Sequence, residues 1–590
     1  MYNNMLRCGR PRDLAVLIAF LALLLPMMTA PVESKGGSRR RRTHPSRLSS
    51  HRGSSSSSHP RNPPPITGAH PRVSNSSCVL KPRLTEPREK AYLQNVCTSK
   101  YKDNPSLGIL LWRPAKSSQM SILKKAFPSA EFIAIWDGPA SGANYKEWRS
   151  KLNGANDFLI YPKREFDEVE AFERLIKVTN GKHAIYLNKD FGITTTSVSW
   201  LKKSYQRLKT ENGGLFVATP GSQPWSRADG GEDLRGPYII NREGMYSQGG
   251  VGEHRWCFSK CGIAQGLIFA SSSAGLATHT EGTKFSFEDK TGGCIGGLSR
   301  LCDSTPSCFA GHDGKHVKAT IIVQFYKRDH MIQQLITRLK KFDVEILINN
   351  DGNTGHNSFM RWTDKRFHII HAPNIHEIRG YTRLGHYARG EYLVLLQDDD
   401  KPKNAGWLRD MFKVFDSFPG IGMIGGHRGR LDTGKQFDKS TGQLRGVKYG
   451  TPLKKGHKFK DIALKDPKSK VKMMFLYKVN AAPLVLKRDV FLELGGFNKN
   501  LSCPGEPGIG FDFEYSMRLW YNNYQVALTE TQFLRSHGKA AGTRANSRIW
   551  NKRRRTEVRN NQYFYTMFPN FHPHKGTQMA IDANKKLLKA

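Results

Sequence analysis

The stretch from Gly390 to Leu408 constrains the fold of this chain more than any other. Residues 392–396 are β-branched, aromatic or leucine with no alternation, which indicates a strand buried on both faces of a sheet. Three aspartates follow this run: Asp398, Asp399 and Asp400. Ligands of open α/β sheets bind at the carboxyl ends of strands, and adjacent acids repel one another unless a cation lies among them. The pattern predicts a divalent metal site, with a solvated acidic turn as the alternative.

Length and charge limit the class of protein. A chain of 590 residues is too long for one ordinary core, so we expect two or three domains. The formal charge of +42 predicts an anionic neighbour, which is a nucleic acid, an anionic membrane surface or an acidic polymer.

The amino terminus directs the chain to the secretory pathway. Arg7, Arg10 and Arg12 precede an apolar run from Leu14 to Val32 that no acidic residue interrupts. Cleavage after Ala30 would make this run a signal peptide, but the polar segment that follows is typical of a membrane-anchored protein. We therefore expect a cytoplasmic tail at 1–13, a signal-anchor helix at 14–32 and a disordered stem, rich in basic residues, Ser and Pro, at 33–77.

Cysteine usage agrees with an oxidising compartment. Eight of the nine cysteines lie beyond the apolar run, and an even number there favours disulfides over a zinc site. Their pairing cannot be deduced from spacing. Asn75 and Asn500 begin N-x-S sequons, which is consistent with a luminal location and glycosylation.

Two series of apolar runs alternate with amphipathic stretches, one beginning at Leu107 and one at Ala319. This alternation predicts an α/β fold with a mostly parallel sheet. Asp137 stands eleven residues before Trp148, and Asp351 stands eleven before Trp362. We interpret the shared spacing as a tandem duplication, with chance similarity between two α/β domains as the alternative.

The two copies differ where chemistry is expected. The first has Asn188 and Lys189 in place of the first two aspartates, and a lysine would compete with a metal. It also has Ala264 and Gly266 where the second has acids. We predict a degenerate copy at 78–283, a Cys/Gly-rich linker at 284–316, a catalytic domain at 317–540 and a basic extension at 541–590.

The second copy resembles the glycosyltransferase family 2 type of GT-A domain. The resemblance covers residues 317–540 and depends on an ordered set of motifs: FYKRD after the opening strand, NNDGN, YARGEYLVLLQDDDKPKNAGWL, LVLKRDVFLELGGF and GFDFEYSMRL. It implies two tandem, Rossmann-like GT-A domains, the first one degenerate.

The resemblance also implies roles for the acids. Asp351 matches the residue that contacts the base or ribose of the nucleotide. Asp398 and Asp400 match the DxD pair that holds Mn²⁺ or Mg²⁺ on the donor diphosphate, and Asp399 lies between them in the nucleotide-sugar site. Asp512 matches the general base. Phe511 replaces the Glu usual before that acid, so Glu514 remains a competing base.

Three basic positions complete the candidate site. His537 lies where some family members place a histidine on the metal or diphosphate, and a surface histidine is the alternative. Arg379 and Arg383 precede the aspartate strand and could bind phosphate or sugar oxygens of the donor, since guanidinium groups match such oxygens. The alternative for both is an ion pair with Glu377 or Glu391 on a solvated helix.

These features predict an inverting glycosyltransferase of the Golgi, a type II membrane protein that moves a sugar from a UDP- or GDP-sugar to a glycan or glycoprotein. An acidic acceptor would account for the charge without nucleic acid. One alternative is a luminal protein that only binds glycans, against which the retained acids argue. A nucleic-acid-binding protein is the other, and the secretory segment argues against it.

Overall fold

The computed structural model describes two stretches of the chain and several short strands. These stretches are residues 105–243, with gaps, and residues 317–589, with gaps; an isolated strand lies at 277–281. The predicted tail, anchor, stem and linker, as well as Lys189, Ala264, Gly266 and His537, lie outside the described residues. In the part of the chain that is described, no helix is long and apolar enough to span a membrane. All of the described residues belong to one compact unit.

One mixed sheet of sixteen strands runs through this unit. Its first seven strands are β1 (Leu107–Trp112), β2 (Glu131–Ile135), β3 (Phe158–Pro162), β4 (His183–Leu187), β5 (Gly213–Ala218), β6 (Tyr238–Ile240) and β7 (Ala277–Glu281). The other nine are β8 (Ala319–Phe325), β9 (Glu345–Asn350), β10 (Phe367–His371), β11 (Tyr392–Gln397), β12 (Ile421–Gly425), β13 (Leu464–Lys465), β14 (Lys472–Phe475), β15 (Leu484–Lys487) and β16 (Gln525–Thr529).

Helices connect the strands and cover the sheet, as the amphipathic stretches predict. They are α1 (Ser117–Ala126), α2 (Ala143–Ser150), α3 (Glu168–Val178), α4 (Thr195–Thr210), α5 (Asp329–Leu339), α6 (His376–Tyr387), α7 (Gly406–Ser417), α8 (Arg488–Glu493), α9 (Phe511–Tyr521), α10 (Ser547–Met567) and α11 (His574–Lys589). Small ladders outside the main sheet join Arg428–Leu431 to Val447–Gly450 and Lys478–Val479, and Lys401–Pro402 to Phe533–Leu534. The predicted α/β class is confirmed.

The strand order is the same in the two halves of the sheet. In the first half it is β3-β2-β1-β4-β6-β5-β7, and in the second it is β10-β9-β8-β11-β15-β12-β16. The direction of each pairing also agrees: β6 and β15 are antiparallel to both of their neighbours, and the other ladders within each series are parallel. Two further strands, β14 and β13, extend the second half beyond β16.

The predicted central strand is present. β11 lies between β8 and β15, and five of its six residues are buried, which agrees with the absence of alternation in its sequence. Trp407 begins α7 and packs edge-on against Phe342, with ring centroids 6.1 Å apart. It is a packing residue of the helix start, as expected.

The two half-sheets join where β3 pairs antiparallel with β10. Helices α3 and α6 cover this junction, and a buried cluster of charges lies between them. Arg174 is within 3.0 Å of Glu170 on its own helix and within 2.8 Å of Glu345 in the second half. The arginine charge lowers the pKa of Glu170 to about 2, against the effect of burial.

Arg383 of α6 crosses into the first half rather than toward the aspartates. Its guanidinium lies 2.9 Å from the carboxylate of Glu131 and donates to the carbonyl oxygens of Val178 and Asn156. The side chains of Arg383 and Glu131 are only 2% and 0% exposed. Its predicted contact with donor oxygens is therefore not seen, because the buried carboxylate of the other half attracts the guanidinium.

Two histidines of β10 face the first half. The ring of His368 lies edge-on to Phe166, and its Nδ1 is 2.9 Å from the hydroxyl of Tyr387. Burial lowers the pKa of His368 to about 3, so this ring is neutral at physiological pH. His371 Nε2 lies 2.6 Å from the Tyr145 hydroxyl. The junction thus combines backbone pairing, aromatic packing and buried ion pairs.

The charge pair at the junction predicts a large loss of stability on truncation. Arg383→Ala leaves Glu131 buried without its cation, and we expect the free energy of unfolding to fall by ~3–5 kcal/mol. The control is Lys318→Ala, which removes an exposed partner of Glu391 and should cost less than about 1 kcal/mol. Denaturant unfolding of the residue 73–590 fragment measures both. Equal losses in the free energy of unfolding would show that the buried pair contributes no more to stability than an exposed pair.

Candidate active site

Three neighbouring strands end at the same edge of the second half-sheet. β8 lies between β9 and β11 and is parallel to both, with Phe325 opposite Asn350 and Gln324 opposite Gln397. The residues that follow these strands therefore meet at one carboxyl edge. They are Lys327 and Arg328 after β8, Asp351 after β9, and the three aspartates after β11.

Asp398 is buried to the same extent as Asp400, at 2% exposed. Its carboxylate accepts a hydrogen bond from the Tyr326 amide at 3.0 Å and forms a salt bridge with the guanidinium of Arg328. Arg328 also lies 3.5 Å from Asp399. Burial raises the pKa of Asp398 to about 6, although the charge of Arg328 opposes the rise. A cation thus already neutralises this carboxylate in the structure.

The other two aspartates supply further oxygen atoms. Asp400 is buried, and its Oδ2 accepts the Gln397 amide at 2.8 Å, which fixes the turn. Asp399 Oδ1 is buried and has no hydrogen-bond partner among the described residues. Such an oxygen is costly unless a cation or a ligand satisfies it. The donor set is all oxygen, as Mg²⁺ and Mn²⁺ prefer.

Within the described ranges, no cluster of three or more acidic, His or Cys side chains could hold a metal by itself. A divalent cation can also be held by one or two carboxylates together with phosphate oxygens of a substrate. Asp398 and Asp400 suit that arrangement better than a site made of protein ligands alone.

Asp351 lies at the same edge, 3% exposed. It accepts the His376 amide at 3.0 Å, and His376 Nδ1 lies 3.3 Å from the same carboxylate. Burial raises the pKa of Asp351. Gly352 follows, and a Cβ there would lie 2.8 Å from Cγ of Lys327, so only glycine lets the lysine lie across the loop.

Asp512 reaches this edge by a different route. β15 runs antiparallel to β11 with Leu484 opposite Leu395, so the residues before β15 lie at the carboxyl end of β11. Asp512, in the first turn of α9, accepts the amide of Ala481 at 2.7 Å. A carboxylate is stabilised in the first turn of a helix. The carboxylate of Asp512 also accepts a hydrogen bond from the backbone amide of the next residue, Phe513.

Glu514 is differently placed from Asp512. Its carboxylate is 0% exposed and accepts two hydrogen bonds from the Arg518 guanidinium, at 3.0 and 2.7 Å. Arg518 is itself held by the carbonyl of Leu494. An ion pair closed in this way leaves Glu514 unsuited to accept a proton from a substrate, so of the two competing bases the geometry favours Asp512.

Arg379 is also directed elsewhere. It is buried and donates to Ser502 through both the hydroxyl, at 2.9 Å, and the carbonyl, at 2.8 Å. It therefore fixes the loop before α9 rather than reaching the aspartates. His537 lies outside the described residues, but the preceding strand Phe533–Leu534 pairs with Lys401–Pro402, directly after the aspartates.

Two contributors were not singled out from the sequence. Arg328 lies in the FYKRD motif, and a basic residue directly after the first strand is a usable signal, although the motif alone assigns it no role. The amide of Ala481 carries no signal in the sequence, because a backbone donor is independent of the side chain. Both are visible only once the strands are placed side by side.

In the first half, Asp137 is enclosed by hydrogen bonds from its own neighbours. Arg113 and Lys327 each follow the first strand of their half with a positive φ, 51° and 59°. Arg113 donates to both oxygens of Asp137, at 2.6 and 2.9 Å, and the Phe166 amide donates a third bond at 3.0 Å. Residues of the first half thus donate three hydrogen bonds to Asp137. In the second half, Lys327 lies over Gly352 instead.

At this edge of the α/β sheet, acidic residues follow two of three adjacent parallel strands, β9 and β11, and basic residues follow the third, β8. Residues 320–473 match the family model described as glycosyl transferase family 2. These residues are therefore a glycosyltransferase family 2 domain, and the predicted class of enzyme, a glycosyltransferase, is confirmed by this match.

Individual relatives are distant. The chain is 25% identical over 249 residues to the O-antigen biosynthesis protein RfbC of Myxococcus xanthus, covering 39% of this chain and 18% of that protein. Among solved structures, the mannosyltransferase PcManGT of Pyrobaculum calidifontis, in complex with GDP-Man and Mn²⁺, aligns at 13% identity. The alignment covers 46% of this chain and 76% of that one, with a TM-score of 0.26. TarS 1–349 of S. aureus aligns at 14%, covering 36% and 57%, with the same score.

The pairing of Glu514 predicts a structural rather than a chemical effect of its removal. Glu514→Gln leaves Arg518 buried without an anion and should lower the free energy of unfolding by ~3–5 kcal/mol. Turnover per folded molecule should stay near the original level. The control Glu147→Gln alters an exposed pair with Lys151 and should cost less than about 1 kcal/mol. A stable Glu514→Gln protein without turnover would instead identify Glu514 as the base.

Proposed function

We propose that this protein is a metal-dependent, inverting glycosyltransferase that moves a sugar from a UDP- or GDP-sugar to a hydroxyl group of a glycan or glycoprotein. The observation that carries the proposal is the meeting of Asp351, Asp398, Asp400 and Asp512 at one edge of the second half-sheet. Donor-binding acids and a separate base are what such a transfer requires.

Asp398 and Asp400 would hold Mn²⁺ or Mg²⁺, with Asp399 Oδ1 as a further buried acceptor. Such a cation, when bound, neutralises the diphosphate and makes the nucleoside diphosphate a better leaving group. Arg328 compensates the charge of Asp398 in the structure, and a guanidinium beside the donor diphosphate would suit phosphate oxygens as partners. Asp351, enclosed beside Lys327 and Gly352, would bind the hydroxyls of the ribose or the polar edge of the base.

Asp512 would accept the proton of the acceptor hydroxyl. The amide of Ala481 and the position in the first turn of α9 orient its carboxylate. Attack by the activated oxygen on the face opposite the diphosphate inverts the anomeric carbon, and a nearby carboxylate stabilises the positive charge that develops on the sugar ring.

Location and origin are part of the proposal. The basic amino terminus with its apolar run supports a type II anchor in the Golgi membrane and a luminal catalytic domain. The disulfide state of Cys503 agrees with an oxidising compartment. The common strand order of the two halves supports a tandem duplication, and the closed Asp137 supports loss of donor binding in the first copy.

The metal role predicts that Asp400→Asn abolishes transfer without unfolding the protein. The amide oxygen of Asn can still accept the Gln397 amide, so the turn is kept while the negative charge is lost. We expect turnover to fall by at least about 10²-fold, and chelator to do the same to the original protein. Asp410→Asn, on a half-exposed helix face, is the control. Full turnover in chelator would contradict metal dependence.

The base role predicts a separate loss. Asp512→Asn should lower turnover by about 10²–10⁴-fold with little change in donor affinity, because the donor is held by other residues. In the original protein an α-linked nucleotide sugar should give a β-linked product, which proton coupling constants report. A product with the donor's own anomeric configuration would rule out single displacement.

A further inference from the structure

Helix α10 presents a row of arginines on one face. Arg548, Arg554, Arg555 and Arg559, here called the arginine face, line a groove of about 930 Å³, and no described lining residue is acidic. Their spacings of one, four, six and seven residues keep them within one side of the helix, because three to four residues complete a turn. The helix packs into the protein through Asn560 and Phe564, which are buried one turn apart.

The arginine face leads to the proposed base. The side-chain amide of Asn560 donates to the carbonyls of Leu501 and Ile509, at 2.8 and 2.7 Å. Phe564 packs against Gly510, which precedes α9 and stands two residues before Asp512. The row thus begins beside the loop that carries the base and extends away from it by roughly 16 Å, at about 1.5 Å per residue from Arg559 to Arg548.

The side chains on this face are available to a ligand. Arg548, Arg554 and Arg555 are exposed, whereas Arg559 is partly engaged with the Leu501 carbonyl. Guanidinium groups bind carboxylate and sulfate oxygens in a two-pronged geometry. Trp550, beside the row and 42% exposed, offers an aromatic surface to a sugar ring.

We infer that the arginine face binds the acceptor, and that this acceptor is a linear glycan bearing carboxylate or sulfate groups whose growing end lies at Asp512. The inference rests on the proposed function and names its substrate class. A row that starts at the base suits a chain molecule, because each charged unit can meet an arginine while one end reaches the site. The net charge of +42 draws such a polymer to the protein.

A membrane surface fits this helix less well. An interfacial helix needs an apolar face turned outward, and the apolar face of α10 is turned into the protein core. Of its described large apolar side chains only Ile549 and Trp550 are exposed, both in the first turn.

The test is direct binding by the full-length protein. The probes are a sulfated glycosaminoglycan, polygalacturonate as the carboxylated glycan, neutral dextran, a single-stranded DNA of similar charge and phosphatidylserine vesicles. Arg548, Arg554 and Arg555 are changed together to Gln. The matched control changes Lys575, Lys585 and Lys586 to Gln, which removes the same charge from exposed positions of α11.

We expect the original protein to bind one of the anionic glycans in preference to DNA, dextran and vesicles. The arginine variant should lose at least about tenfold in that affinity, and the lysine control less than about twofold. Comparison of the sulfated glycosaminoglycan with polygalacturonate distinguishes recognition of sulfate from recognition of carboxylate. Thermal melting should be unchanged, since all six positions are exposed.

Three results would overturn the inference: equal losses in the two variants, tighter binding of DNA or of vesicles than of either glycan, or no glycan binding by the original protein. Hydrolysis of a nucleotide sugar in the absence of acceptor reports the proposed function separately, because it does not involve the glycan that the arginine face is proposed to bind. Absence of hydrolysis in the original protein would overturn that function while leaving the glycan-binding result to stand.

Discussion

The antiparallel pairing of β3 with β10 is the interaction on which the rest of the structure depends. It turns two half-sheets into one and satisfies the backbone groups that either half would otherwise expose at an edge. The charges of Arg174 and Arg383 are buried where strand carboxylates of the other half, Glu345 and Glu131, meet them. The catalytic half is therefore built around contacts with a half that has no proposed chemistry of its own.

The junction also explains how the site is kept in place. α6 runs along it, with Arg383 held by the first half and Arg379 holding the loop of Ser502. That loop leads into α9 and so to Asp512. The first residue of α6, His376, donates its amide to Asp351. One helix thus connects the junction to both the donor side and the acceptor side of the edge. A change at Glu131 that shifts α6 would therefore also shift the loop that leads to Asp512.

Much of this arrangement could be predicted from the sequence, and the parts that could not share a cause. The buried strand of Tyr392, the aspartates after it and the Trp407 helix start follow from local pattern, because periodicity reports burial and strand ends report the edge. The partners of Arg383 could not be predicted, since they lie 205 and 227 residues away in sequence. Glu514 and Asp512 look equivalent in sequence, and only the position of Arg518 one turn later distinguishes them.

The direction of the strands at the junction has a geometric consequence. Because β3 and β10 run in opposite directions and the central strands of each half are parallel to them, the carboxyl edge that carries Asp137 opens at the end of the sheet opposite the one that carries Asp351. The two carboxyl edges, one with Asp137 and the other with Asp351, thus lie at opposite ends of the strands. A molecule that binds at the edge of Asp137 would therefore leave the edge of Asp351 open, so the first half could bind a partner without obstructing the second.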